Sequence, residues 1–153
     1  YTEEDGSICP WITSGEAVSL SVRKGTLTAE ERAVMESHVS VTARILSHVT
    51  FPKRYAQVPA WASAHHELLN GKGYPDGLAG NDIPLGSRLI AIADSIDAMI
   101  SDRPYRKGLD VSICKEEIKK NAGIMYDPDV VKVAMDNWEE LIKAGTDICV
   151  MQK

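Results

Sequence analysis

Between Asn70 and Pro84 the chain carries four glycines and two prolines in fifteen residues. Neither a helix nor a central strand tolerates that density of conformational freedom and missing donors. The stretch must therefore be a long loop, ordered or disordered, and loops of this length inside compact domains are usually functional. The rest of the fold has to be assembled around it.

On both sides of this loop the apolar residues recur with helical period. Thr28-Ala-Glu-Glu31 is a capping box, in which a hydroxyl and a carboxylate satisfy opposing unpaired N–H groups at a helix start. A helix is predicted from there to about His48, with Val34, His38, Val41 and Ile45 on one face turned toward the core. Phe51-Pro52 breaks it. A second helix is predicted from near Tyr55–Pro59 to about Leu69, placing Val58, Ala62, His65 and Leu69 on a common inward face. Pro84 suits the start of a third, reaching Ile100, with a stripe of Leu89, Ala93, Ile96 and Ile100 and Asp94 beside it. Asp110 caps a fourth that ends near Asn121 and Gly123, and Asp127-Pro128 opens a last helix reaching Gly145. Five helices without a convincing strand make an all-α bundle. Residues 1–24 read as a connector or the remnant of an upstream segment, with at most a single helical turn, 25–145 as the helical domain, and 146–153 as a C-terminal tail.

At 153 residues the chain fits one domain. No apolar run approaches the roughly 18 residues a membrane span needs, and no signal peptide is visible. Cys9, Cys114 and Cys149 form no CxxC pair and are read as structural or incidental, which suits a reducing compartment; a cytoplasmic location is the expectation. A formal net charge of -5 argues against a nonspecific binder of nucleic-acid polymers, which needs an excess of cations. It leaves room for a small anionic ligand held by local cations such as those in Ser101–Gly108.

His38, His65, His66, Glu67 and Asp94 offer nitrogen and oxygen donors from three neighbouring helices, a mixture suited to Fe, Mn or another first-row divalent ion. The spacing alone leaves a second reading open. An inward histidine is often a hydrogen-bonded core residue, and adjacent histidines diverge by about 100° on an ideal helix. Both reach one ion only where the helix is distorted or ending.

The string His65-His-Glu-Leu-Leu-Asn-Gly-Lys-Gly-Tyr-Pro75 resembles the HHExxDGxGYP signature of the HD-GYP family. The resemblance extends through Ile83-Pro84, Ile90–Asp94, Asp97-Ala98 and Asp102–Arg106, and begins upstream at Gly25–Glu31 with His38 following; it covers roughly residues 24–140. It implies an HD-type helical fold and a metal-dependent phosphodiesterase acting on cyclic di-GMP in bacterial signalling. His38, His65 and His66 would ligate one ion of a two- or three-metal centre, and Asp94 another. Arg103 and Arg106 would contact the cyclic dinucleotide, a guanidinium fork being suited to phosphate oxygens or the guanine edge. Gly71, Gly73, Tyr74 and Pro75 would shape the loop beside the metals, which in the family is also proposed to dock GGDEF domains. Assembly as a homo-oligomer stays open.

The pattern also departs from the family's. Its His-Asp pair, usually within HDxGK, should lie well before His38, and no histidine precedes His38. No catalytic residue is therefore assigned. Asn70 stands where the signature has Asp, and Met99-Ile100 where Leu-Thr is usual. The expectation is a fragment of a longer protein, since residue 1 is Tyr; a free-standing degenerate module, or a site completed by a second chain, are the alternatives. The intact reaction would be hydrolysis of cyclic di-GMP to pGpG or GMP, with little or no activity in this chain. A non-catalytic module binding the dinucleotide or a GGDEF partner, and a phosphohydrolase for another nucleotide, are the competing functions.

Overall fold

The computed structural model describes residues 10–21, 27–103 and 106–151, with the last six as helical backbone only. Seven α-helices and two short 3-10 turns make up the regular structure among these residues, and no strand occurs beyond isolated bridges. The all-α expectation holds. No helix among them is long and apolar enough to cross a membrane.

By contact density the chain divides into Tyr1–His38 and Val39–Lys153. The first unit holds α1 (Ser14–Leu20), seven residues inside the stretch read as a connector. Its start is a capping box as well: the Glu16 backbone N–H donates to Thr13 Oγ1 at 3.2 Å, and the Thr13 N–H to Glu16 Oε2 at 2.8 Å. The unit also holds the start of α2 (Ala29–Leu46), where the predicted capping box forms with Thr28 N–H donating to Glu31 Oε2 at 2.7 Å. The predicted inward face of α2 is a correction. Val34 is 73% exposed, Ile45 60% and His38 exposed, whereas the one buried residue of the helix is Val39. Helical period identified a shared face without identifying what it faces.

In the second unit α3 (Val58–Ser63) packs on α4 (Leu85–Ile100), and α4 packs on α5 (Val111–Lys120) and α6 (Pro128–Asp136), followed by α7 (Trp138–Met151). Ile92 and Ile96 of α4, Cys114 and Ile118 of α5, Tyr126, Val130, Val131 and Ala134 around α6, and Trp138 of α7 form the core. The Tyr126 hydroxyl reaches it without a stranded donor, meeting Ser95 Oγ at 2.9 Å. On α4 the buried stripe is Ser87, Ala91, Ile92 and Ile96; the expected Leu89 and Ala93 are exposed. Burial pushes the Cys114 thiol up, consistent with an inert core cysteine, while Cys9 and the side chain of Cys149 lie outside the described residues.

Two helix ends differ from expectation. The predicted last helix is two, broken at Asn137, whose side chain donates to the Val133 carbonyl at 2.8 Å; the second runs past Gly145 to Met151. The predicted second helix runs for only six residues, Val58–Ser63, so His65 to Leu69 are not helical. The close α3–α4 seam fixes where that helix ends. A methyl on Gly86 would sit 2.3 Å from the Trp61 ring, and Ser87 Oγ, fully buried, donates to the Trp61 carbonyl at 3.0 Å.

Candidate metal centre

Where α3 stops, the backbone turns, and this turn frees adjacent histidines from helical divergence. His65 and His66 lie half-buried with ring centroids 4.1 Å apart and planes tilted by 40°. His38 precedes Val39 within the continuous helix α2. Within the second unit, one ligand atom of His65 and one of His66 lie within 4.8 Å of each other. The fourth histidine, His48, is outside this group and exposed.

The tautomers of His38 and His65 follow from their neighbours. His38 Nδ1 is 2.6 Å from the Met35 carbonyl, and His65 Nδ1 is 2.7 Å from the Ala62 carbonyl. A carbonyl only accepts, so each Nδ1 carries the proton and leaves the lone pair on Nε2. This is how metal-ligating imidazoles are commonly oriented, with the second nitrogen tied to a carbonyl or carboxylate. The two half-buried imidazoles of His65 and His66, with close ligand atoms and the lone pair of His65 assigned, fit a first-row divalent ion by donor chemistry.

Asp94 lies exposed on α4. The turn after α4 brings Arg103 and Arg106 together through paired backbone hydrogen bonds, Arg103 N–H to the Arg106 carbonyl at 2.8 Å and Arg106 N–H to the Arg103 carbonyl at 3.0 Å. Both side chains are exposed, and Arg106 Nη2 donates to the Ala98 carbonyl at 2.8 Å. Asp102 pairs with Lys107 Nζ at 2.6 Å; the hydrogen bond first, and the charge second, hold the Lys107 ammonium above its ordinary pKa. Asp102 Oδ1 also accepts from Gly108 N–H at 2.9 Å.

The Asn70–Pro84 loop is ordered and folds back toward the histidines. Gly71 has φ 71°, the left-handed region that glycine adopts at little cost. Gly73 serves close approach: a Cβ there would lie 2.4 Å from Glu67 Cα and 2.4 Å from Leu68 N. Tyr74 stacks on His66 with centroids 4.8 Å apart, and the loop is pinned at its base by Gly80 N–H to the Leu69 carbonyl at 3.0 Å. Glu67, which the sequence reading grouped with the candidate metal donors, is turned to the loop instead. It is 2% exposed, and its Oε1 accepts from Asp76 N–H at 2.7 Å and Gly77 N–H at 3.1 Å. Its signal was present as a lone acid beside two histidines, but partners nine and ten residues ahead have no local periodicity to announce them.

A family model described as HD domain matches residues 14–130. A cyclic di-GMP phosphodiesterase of Thermotoga maritima is 36% identical over 134 residues, covering 86% of this chain and 34% of the relative. A 3′3′-cGAMP-specific phosphodiesterase 2 of Vibrio cholerae is 35% identical over 125 residues, covering 81% and 24%. A cyclic di-GMP phosphodiesterase response regulator of Xanthomonas campestris pv. campestris is 38% identical over 114 residues, covering 74% and 30%. The chain thus spans a third or less of the length of two of these relatives and 34% of the other.

Proposed function

The chain belongs to the HD-domain family, with an HD-GYP signature at His65–Pro75, and on that premise we propose that it supplies part of the centre of a metal-dependent phosphodiesterase for a cyclic dinucleotide. Cyclic di-GMP is the favoured substrate, and 3′3′-cGAMP the variant that some relatives' names raise. The observation that carries the reading is the close pair His65 and His66 where α3 ends, with the Nε2 lone pair assigned on His65.

In this reading the imidazoles of His38, His65 and His66 hold one divalent ion, Fe, Mn or similar, and Asp94 serves a further ion of a two- or three-metal centre. Metal bound there would polarise the phosphoryl oxygens and lower the pKa of a bound water. The chain's own contribution is orientation. The Met35 and Ala62 carbonyls fix the imidazole tautomers, and the Tyr74 ring backs His66. Arg103 and Arg106, at the end of α4, would take phosphate or guanine edges with their donor forks. The loop Gly71–Pro75 would lie beside the substrate and offer a surface to a GGDEF domain, and the setting would be cytoplasmic.

No His-Asp pair occurs in these 153 residues, so metal binding without substantial turnover is the expected behaviour of this chain. Metal analysis after reconstitution with Mn²⁺ or Fe²⁺, together with chromatographic assay of cyclic di-GMP and 3′3′-cGAMP, tests this. The same assays on a longer chain carrying a His-Asp pair should give pGpG or GMP. Metal-free protein in both cases would overturn the proposal, and rapid turnover by the short chain would show that the pair is dispensable. Dinucleotide binding without hydrolysis in the longer chain would instead favour a signalling module.

A further inference from the structure

We propose that Glu67 is a positioning residue that fixes the His66 ring by holding the glycine-rich loop against the backbone of residues 66–68. Its consequence for metal affinity rests on the reading of His66 as a ligand; its effect on the ring does not.

Three separate contacts bring the loop back onto this short segment. Tyr74 N–H donates to the His66 carbonyl at 3.3 Å. Gly73 lies so close that a Cβ would meet Glu67 Cα, Leu68 N and the His66 carbonyl oxygen at 2.4, 2.4 and 2.5 Å. Glu67 Oε1 collects the next two amides beyond Pro75, from Asp76 and Gly77. Between these anchors sits Tyr74, its ring stacked on His66 at an interplanar angle of 23°.

A packing role does not account for Glu67. An apolar side chain of similar size would fill the space without the desolvation penalty that a buried carboxylate carries. Here one oxygen accepts both loop amides, while Oε2 is buried with no hydrogen-bond partner among the described residues. The carboxylate is retained where its one recorded service is to hold the loop, and the loop carries the ring that faces His66.

The test uses three readouts on this chain: amide exchange at Asp76 and Gly77, the ring-current shifts of the His66 ring protons, and the dissociation constant for Mn²⁺. Glu67→Ala should speed exchange at both amides by about tenfold or more, and move the His66 ring protons toward the values of Tyr74→Leu. Because residues that orient metal ligands typically change affinity by about 10–100-fold, Mn²⁺ binding should weaken by that factor. Glu67→Gln, which keeps a carbonyl acceptor, should restore most of the wild-type values. In the Tyr74→Leu background Glu67→Ala should weaken Mn²⁺ binding no further, the non-additivity expected of residues acting through one contact. Gly73→Ala pushes the loop off the same backbone and provides a second variant should Glu67→Ala fail to fold. Should wild type bind no Mn²⁺, the metal reading fails, and the exchange and ring shifts still decide the role of Glu67. Unchanged His66 ring shifts in Glu67→Ala, or in Gly73→Ala if the former does not fold, would overturn it.

Discussion

Asp127 does two jobs with one carboxylate. Its Oδ1 accepts from the Asp129 N–H at 2.8 Å and the Val130 N–H at 3.2 Å, capping α6, while Oδ2 pairs with Arg88 Nη1 at 2.6 Å. Burial alone would raise this carboxyl, but the Arg88 hydrogen bond, the two backbone donors and the Arg88 charge outweigh it and hold the pKa below its usual value. A folded-state pKa below the unfolded one makes the contribution complete above about 3.9, the unfolded value, and lost as the pH falls through the folded one. Asp127→Asn should flatten the acid limb of a stability-against-pH curve measured by denaturant unfolding, and a limb as steep as wild type would contradict this. Asp127→Ala should lower stability at neutral pH by about 3 kcal/mol, since it removes a cap and leaves the Arg88 charge with less compensation. The sequence showed Asp127 as a cap, because a cap is local; it could not show Arg88, which is 39 positions away.

At the scale of elements, the starts of helices were legible and their faces were not. Thr28, Asp110 and Asp127 each cap where expected, because a cap depends on a side chain and an amide two or three residues on. Thr28→Ala should cost about 1 kcal/mol in thermal or chemical unfolding, as loss of an N-cap acceptor usually does. Which stripe is buried depends on partners distant in sequence. Leu89 and Ile92 both lie on apolar positions of α4, yet Leu89 is 50% exposed and Ile92 3%. The break at Asn137 and the early stop of α3 were hidden for the same reason, being set by side-chain bonds and by the α3–α4 seam rather than by proline or glycine. Ile118, fully buried between α4 and α6, should lower stability by about 3 kcal/mol when cut to Ala. A loss under 1 kcal/mol would contradict the described core.

For the whole molecule, the glycine-rich loop that most restricted the fold also adjoins the proposed metal centre. His65 and His66 were legible as candidate ligands through the motif that follows them, and the end of α3 that sets their rings side by side is what coordinates add. The inward face expected for His38 was wrong, since the residue is exposed on α2. Arg103 and Arg106 were read from family resemblance, Asp94 from its helix position as well, and the roles proposed for them depend on groups that no local pattern reveals. The most direct measurement of the central claim is a Mn²⁺ or Co²⁺ titration of the wild-type chain against His38→Ala, His65→Ala and His66→Ala, each first shown to be folded by circular dichroism. Saturable binding that each single substitution weakens by at least tenfold is the expected result. Equal affinity in all four proteins, or no binding in any, would contradict it.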